Sequence, residues 1–143
     1  MVTRVKKKTR ARAAIAGLGF SAMSRQPVGT IRELAATAVA AAAADAGLRL
    51  QDIDGLLLNK SPAAEPEELP LRLQNDLGLR DLGLLAAMDS EGSTAVQMVQ
   101  YAAMAVREGL VKSVACVFAD TPLKGSGAGG GEAHTAPSPD WSH

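Results

Sequence analysis

Few residues in this chain could do covalent or acid–base chemistry. It has one cysteine, Cys116, and two histidines, His134 and His143. The other candidates share one stretch, Asp89-Ser90-Glu91-Gly92-Ser93-Thr94, small and polar, directly ahead of an apolar run. A turn of that kind leaves free amides at a helix start, where an oxyanion or a nucleophile is stabilised. The plainer reading is that Ser93 or Thr94 caps the helix and Gly92 permits the turn. Cys116 falls inside Val114-Ala115-Cys116-Val117-Phe118-Ala119 and reads as an inert, buried small hydrophobe. Both histidines fall in a glycine- and proline-rich stretch and read as solvated. A serine nucleophile needs an adjacent base, and neither histidine is a persuasive partner for Ser93.

The elements that would hold this turn follow from patterning. Ala13-Ala14-Ile15-Ala16-Gly17-Leu18 is a short apolar run and predicts a buried first strand. Residues 19–29 predict a loop. Thr30-Ile31-Arg32-Glu33 is a capping box, so a helix follows over about 31–46, built largely of alanine. Gly47 stands where a left-handed cap is wanted. Residues 53–58 predict a turn and second strand, 62–66 a linker, and 67–77 an amphipathic helix with Pro70 in its first turn. Residues 82–88 predict a third strand, 93–107 a long helix ended by Gly109, and 114–119 a fourth strand. The long helix carries only Gln97 and Gln100 as polar residues in its middle, which predicts burial on all sides. Strands and helices alternating at this spacing imply an α/β fold with a parallel sheet covered on both faces.

Composition narrows the function classes. At 143 residues and 47% apolar content the chain can close one core. The formal net charge is zero, which excludes a chain-wide electrostatic grip on nucleic acid or membrane. The zero hides an asymmetry. Residues 1–12 hold six bases (Arg4, Lys6, Lys7, Lys8, Arg10 and Arg12) and no acid, so the remainder carries the balancing negative charge. This predicts a basic disordered tail at 1–12, a folded unit at 13–123 and a Gly/Pro-rich tail at 124–143. With 3% aromatic residues there is no stacking platform for single-stranded nucleic acid. A single cysteine excludes a disulfide framework and a cysteine-based zinc site, and fits a reducing, cytoplasmic setting. No apolar run is long enough to span a bilayer.

Two strings carry a family resemblance. Glu33-Leu34-Ala35 … Ala44-Asp45-Ala46-Gly47-Leu48 … Asp52-Ile53-Asp54-Gly55-Leu56 resembles the opening of thiolase-superfamily enzymes of the sterol-carrier and lipid-transfer-protein type. Ala102-Ala103-Met104-Ala105-Val106-Arg107-Glu108-Gly109-Leu110 … Val114-Ala115-Cys116-Val117 resembles the same family's core helix and following strand. Ala14-Ile15-Ala16-Gly17-Leu18-Gly19 also fits its first strand. The resemblance covers about residues 13–120. It implies a thiolase-like βαβαβαβ half-domain with a mostly parallel sheet between helices. It also implies lipid-metabolic chemistry on acyl-CoA thioesters, with coenzyme A entering as part of the substrate and no separate cofactor or metal.

In that family a cysteine nucleophile heads the core helix. Aligning on Ala102-Ala103 and Val106 places it at Gly92, with Ser93 and Thr94 at the two small residues that follow and Ala95 at the family's glycine. Ser93, beside that position, is the candidate catalytic residue, and Ser90 and Thr94 are the candidate substrate-binding residues. Family members lacking the cysteine resemble acyl-CoA aldolases, which work with a small acyl-CoA-binding partner built from an OB-fold and a zinc ribbon. Acyl transfer and retro-aldol carbon–carbon cleavage are therefore both implied.

Nothing in the sequence matches the family's second half, with its catalytic histidine and second cysteine. The first half's fifth strand is missing too. The fourth strand is then an exposed edge, which predicts a homodimer or a complex with a complementary thiolase-like chain. The alternative is a non-catalytic thiolase-like subunit or a fragment providing fold and dimer surface. A remote alternative is a dinucleotide-binding module, from Gly17-Leu18-Gly19-Phe20-Ser21-Ala22. That fingerprint needs a helix at its loop, whereas the capping box starts one at Thr30, and Asn59-Lys60 offers no acid for a ribose.

Overall fold

The computed structural model describes residues 13–24, 28–60 and 69–121. Helix α1 spans Ile31–Asp45. Its capping box is complete. The Glu33 amide donates to Thr30 Oγ1 at 3.2 Å, and the Thr30 amide donates to Glu33 Oε2 at 2.8 Å. The bond from the Thr30 amide, and then that from its hydroxyl, holds the Glu33 carboxyl below its ordinary pKa. The helix is followed by Gly47 in the left-handed region (φ +67°), a conformation open to glycine at no steric cost. Helix α2 spans Leu69–Asp76 and α3 spans Thr94–Arg107.

Three parallel strands form the sheet: β1 (Gly55–Asn59), β2 (Leu84–Met88) and β3 (Val114–Val117), in the order β2-β1-β3. Gly55 is level with Leu84 on one side and Val114 on the other. Every residue of β1 is buried, as expected of a central parallel strand. Successive side chains alternate between faces. Leu56 and Leu58 pack with Ala35, Val39 and Ala43 of α1 and Leu73 of α2. Leu57 packs the other way, with Leu84, Met98, Ala105 and Val111. The result is helices on both faces of one parallel sheet.

Both ends of β1 are clipped to the flanks of β3. Ahead of β1, the Asp54 carboxylate accepts the Lys112 amide at 2.9 Å and the Ser113 amide at 2.8 Å. Beyond β3, the buried Asn59 side-chain amide donates to the Ala119 carbonyl at 3.0 Å and accepts the Ala119 amide at 2.8 Å. This side chain continues the ladder where the strands stop.

Three expectations change. Residues 13–18 are not a strand. They lie against α1, where the Leu18 amide donates to Asp45 Oδ2 at 2.9 Å. A Cβ at Gly17 would overlap the Ala42 carbonyl oxygen, and one at Gly19 the Ala38 carbonyl oxygen. The alanine-rich helix is smooth enough for backbone to rest directly on it. Among the described residues, no strand pairs with the far edge of β3, so this segment has no ladder to join. Its Ile15, Leu18 and Phe20 are exposed.

The long helix is not buried on all sides. Only Thr94, Met98 and Ala105 of α3 are buried, while Val96, Val99, Tyr101 and Met104 face outward. One sheet covers one stripe of a helix, and among the described residues no second layer covers the rest. Cys116 is also exposed: it is level with Leu57, on the face that α3 alone covers, and α3 does not bury it. The expected linker at 62–66 and the tails at 1–12 and 124–143 lie outside the described residues, as do His134 and His143. The dinucleotide reading loses its helix, since α1 begins at Ile31 and Gly17 and Gly19 serve the contact with α1.

Candidate functional site

Ligand sites in open α/β folds lie beyond the carboxyl ends of the strands. The turn after β2 lies there. Met88 ends β2, Asp89 and Ser90 follow, Glu91–Ser93 form one 3-10 turn, and α3 begins at Thr94. The structure therefore brings Ser90, Gly92, Ser93 and Thr94 together at the head of α3.

Local hydrogen bonds fix this turn. Thr94 Oγ1 accepts the Ser90 amide at 2.9 Å and donates to the Glu91 carbonyl at 2.8 Å. Thr94 is buried, and it ties the turn together from inside. Ser93 occupies the cap position but makes no side-chain capping bond. Its hydroxyl instead donates to the Ser90 carbonyl at 2.8 Å and accepts from Gln97 Nε2 at 3.0 Å. The left-handed residue of the turn is Glu91 (φ +49°), not Gly92. A Cβ added at Gly92 would meet nothing within 4 Å. Neither backbone nor packing requires glycine there.

The chemical capacity of this site follows. Ser93 has its proton committed to a carbonyl and, among the described residues, no base on its oxygen. Gly92 has no side chain. Cys116 sits on β3; the residue keeps exposed surface, but protein atoms around its sulfur desolvate the thiol and push it up, so at neutral pH it is not a thiolate. Among the described residues, no group of three His, Cys, Asp or Glu could hold a metal ion. The residues present can hold and orient a polar group at the head of α3. They do not form an activated nucleophile.

Sequence reasoning missed three neighbours. Gln97 is four residues after Ser93 and seven after Ser90, so helical periodicity places it over both. Lys60 Nζ lies 3.4 Å from Asp89 Oδ2 and crosses from the end of β1 to the end of β2. Asn59 closes an otherwise apolar strand, which marks it as a residue with a partner. A separate cleft of about 230 Å³ opens beyond β3, between residues 21–24 and 118–121, with Leu34 and Ala38 of α1 on its wall. None of Ser90, Ser93, Thr94 and Gln97 lines it.

Comparison with solved structures identifies the architecture. The chain superposes on an Ltp2-ChsH2(DUF35) aldolase with a TM-score of 0.70 and 33% identity, covering 86% of this chain and 31% of that one. It also superposes on 3-oxoacyl-[acyl-carrier-protein] synthase III from Aquifex aeolicus VF5, with a TM-score of 0.58 and 19% identity over 66% of this chain and 30% of that one. The fold is thiolase-like. A curated relative, a steroid side-chain-cleaving aldolase of Thermomonospora curvata, is 34% identical over 121 residues, which is 85% of this chain. The thiolase-like chain spans 30% of that relative's length. No family model matches the chain. Among the described residues, no helix is long and apolar enough to cross a membrane.

Proposed function

We propose that this chain is the N-terminal half of a thiolase-like aldolase of the lipid-transfer-protein type, acting on acyl-CoA thioesters by retro-aldol cleavage. The reading is carried by the head of α3, where the resemblance puts Gly92 at the family's nucleophile position and where the Ser93 proton is donated to the Ser90 carbonyl. Acyl transfer through a covalent enzyme intermediate needs a nucleophile at that place. Retro-aldol cleavage does not. A base removes the proton of a 3-hydroxyacyl thioester's hydroxyl, the Cα–Cβ bond breaks, and a ketone or aldehyde leaves. The thioester enolate then takes a proton at Cα. The names of the two relatives, aldolases both, support this choice.

In this reading Ser93 accepts a hydrogen bond from the 3-hydroxyl of the acyl group, Ser90 and Thr94 shape the site around it, and the acid and base come from a complementary half. The outward apolar face of α3 is where a complementary thiolase-like chain or a second copy would pack. A small OB-fold/zinc-ribbon protein would deliver the acyl-CoA, and the single cysteine suits a cytoplasmic setting.

The test is direct. The chain is incubated with a 3-hydroxyacyl-CoA bearing a tertiary hydroxyl, alone and co-expressed with a complementary thiolase-like chain, and ketone release is followed by mass spectrometry. Cleavage in the complex, slowed at least about tenfold by Ser93→Ala, is expected. No cleavage in any combination overturns the proposal. Cleavage indifferent to Ser93→Ala, Ser90→Ala and Thr94→Ala assigns the chain to the second reading, a non-catalytic subunit, which the lack of a described base on Ser93 Oγ favours.

A further inference from the structure

We propose that Gln97 is the positioning residue of this site, the group that sets the direction of the Ser90 and Ser93 hydroxyls. The inference rests on the aldolase reading for its consequence but not for its test. Gln97 stands one turn into α3 and its amide works at both ends. Its Oε1 accepts from Ser90 Oγ at 2.7 Å, and its Nε2 donates to Ser93 Oγ at 3.0 Å. The Ser93 proton in turn goes to the Ser90 carbonyl at 2.8 Å. The chain of donors therefore has one sense throughout.

Each side-chain oxygen in this relay has a defined role. Ser90 donates inward to Gln97, which fixes the direction of its O–H and leaves its lone pairs turned away from that bond. Ser93 donates inward and receives one bond from Gln97, which leaves one lone pair on Oγ facing away from the relay. Ser93 thus presents an acceptor, and the partner it suits is a donor such as the hydroxyl of a 3-hydroxyacyl group. Reversing or removing the Gln97 amide frees both hydroxyls to rotate. Gln97 does not itself reach substrate in this account.

A thiol at position 93 reads the Gln97 bond without any turnover. In a Cys116→Ser background, Ser93→Cys places one titratable sulfur where Gln97 Nε2 donates. A hydrogen bond donated to the thiolate lowers the thiol pKa. Gln97→Leu removes that donor, and the alkylation rate by iodoacetamide at neutral pH should fall about three- to tenfold. Gln97→Asn, one methylene shorter, should fail to restore it. Equal pH–rate profiles with and without the Gln97→Leu substitution overturn the proposal.

Because sulfur is larger than oxygen, a second measurement keeps the native hydroxyls. The side-chain amide resonances of Gln97 should shift in both Ser90→Ala and Ser93→Ala, and resonances that move in neither also overturn it. An absence of acyl-CoA cleavage would sink the aldolase reading while leaving these two results standing.

Discussion

On one face of the sheet, Leu56, Leu58 and Val117 meet two helices, and ten buried residues form one continuous cluster. On the other, Leu57 and Leu84 meet α3 alone, and the cluster holds five. The helices differ as the clusters do. Helix α1 turns alanines toward its surroundings and lets the backbone of residues 13–20 lie on them. Helix α3 turns Val96, Val99, Tyr101 and Met104 outward, exposed among the described residues. A helix that is apolar on two sides but covered on one is fitted for a second layer. On the first face a further layer of described chain lies over the helix, although its own Ile15, Leu18 and Phe20 stay exposed, and on the second no such layer is present among the described residues.

This contrast can be broken most forcefully in the cores. Leu58→Ala should destabilise the chain by about 3 kcal/mol in urea denaturation, since its cavity is walled by two helices. Met98→Ala, equally buried but beneath a single helix that can settle inward, should cost nearer about 2 kcal/mol. Equal losses would mean that the two faces are equally rigid.

The two-helix face should also respond to acid through its capping box. Thr30→Ala should cost about 1 kcal/mol. The Glu33 carboxyl is depressed in the folded state, so its contribution is complete above its ordinary value of 4.5 and is lost as pH falls through the folded value. Asp52 behaves likewise lower down. Hydrogen bonds from Arg49 hold its carboxyl at about 2 against 3.8, so its share disappears between those values. A wild-type melting curve followed from about pH 6 to about pH 2 should fall in that order. Thr30→Ala should flatten the upper part.

On the outward side of α3 the expected effect on the fold is smaller. Val96→Lys with Met104→Glu should change unfolding free energy by no more than about 0.5 kcal/mol, and light scattering should show the association proposed for this face in the parent and not in the variant. Strong destabilisation would show that those side chains are already engaged. Smallest of all is Gly92→Cys, expected within about 0.5 kcal/mol of the parent by thermal melt because its Cβ enters open space. A large loss there would refute the idea that glycine at 92 is a chemical rather than a structural choice.

Much of this was legible in the residues. The capping box, the glycines after each helix and the apolar runs of β1, β2 and β3 are local signals, and all lie where patterning puts them. The first strand was not legible, because an apolar run records a wish for burial and not the neighbour that provides it. Ile15 and Leu18 look like strand residues whether or not a partner strand is present. The same holds for α3, whose composition states how much surface it was built to hide but not how much this chain hides. At the site, Ser90, Ser93 and Thr94 could be named from the turn. The direction of their hydroxyls could not, because it depends on Gln97 and on carbonyls that only the folded turn presents.

The clips at the two ends of β1 bear on the order of assembly. Strand β1 finds β2 after closing a loop of roughly 25 residues, but β3 only after one about twice as long, and longer closures cost more entropy. Asp54 and Asn59 reach across 58 and 60 residues to Lys112 and Ala119. Closing loops of that length is costly, so these bonds are expected to form late, after the folding barrier is crossed. They therefore act on how slowly the chain comes apart rather than on how fast it forms. Asp54→Ala and Asn59→Ala are therefore expected to shorten the lifetime of the native state more than they slow its formation, read by unfolding and refolding rates in urea.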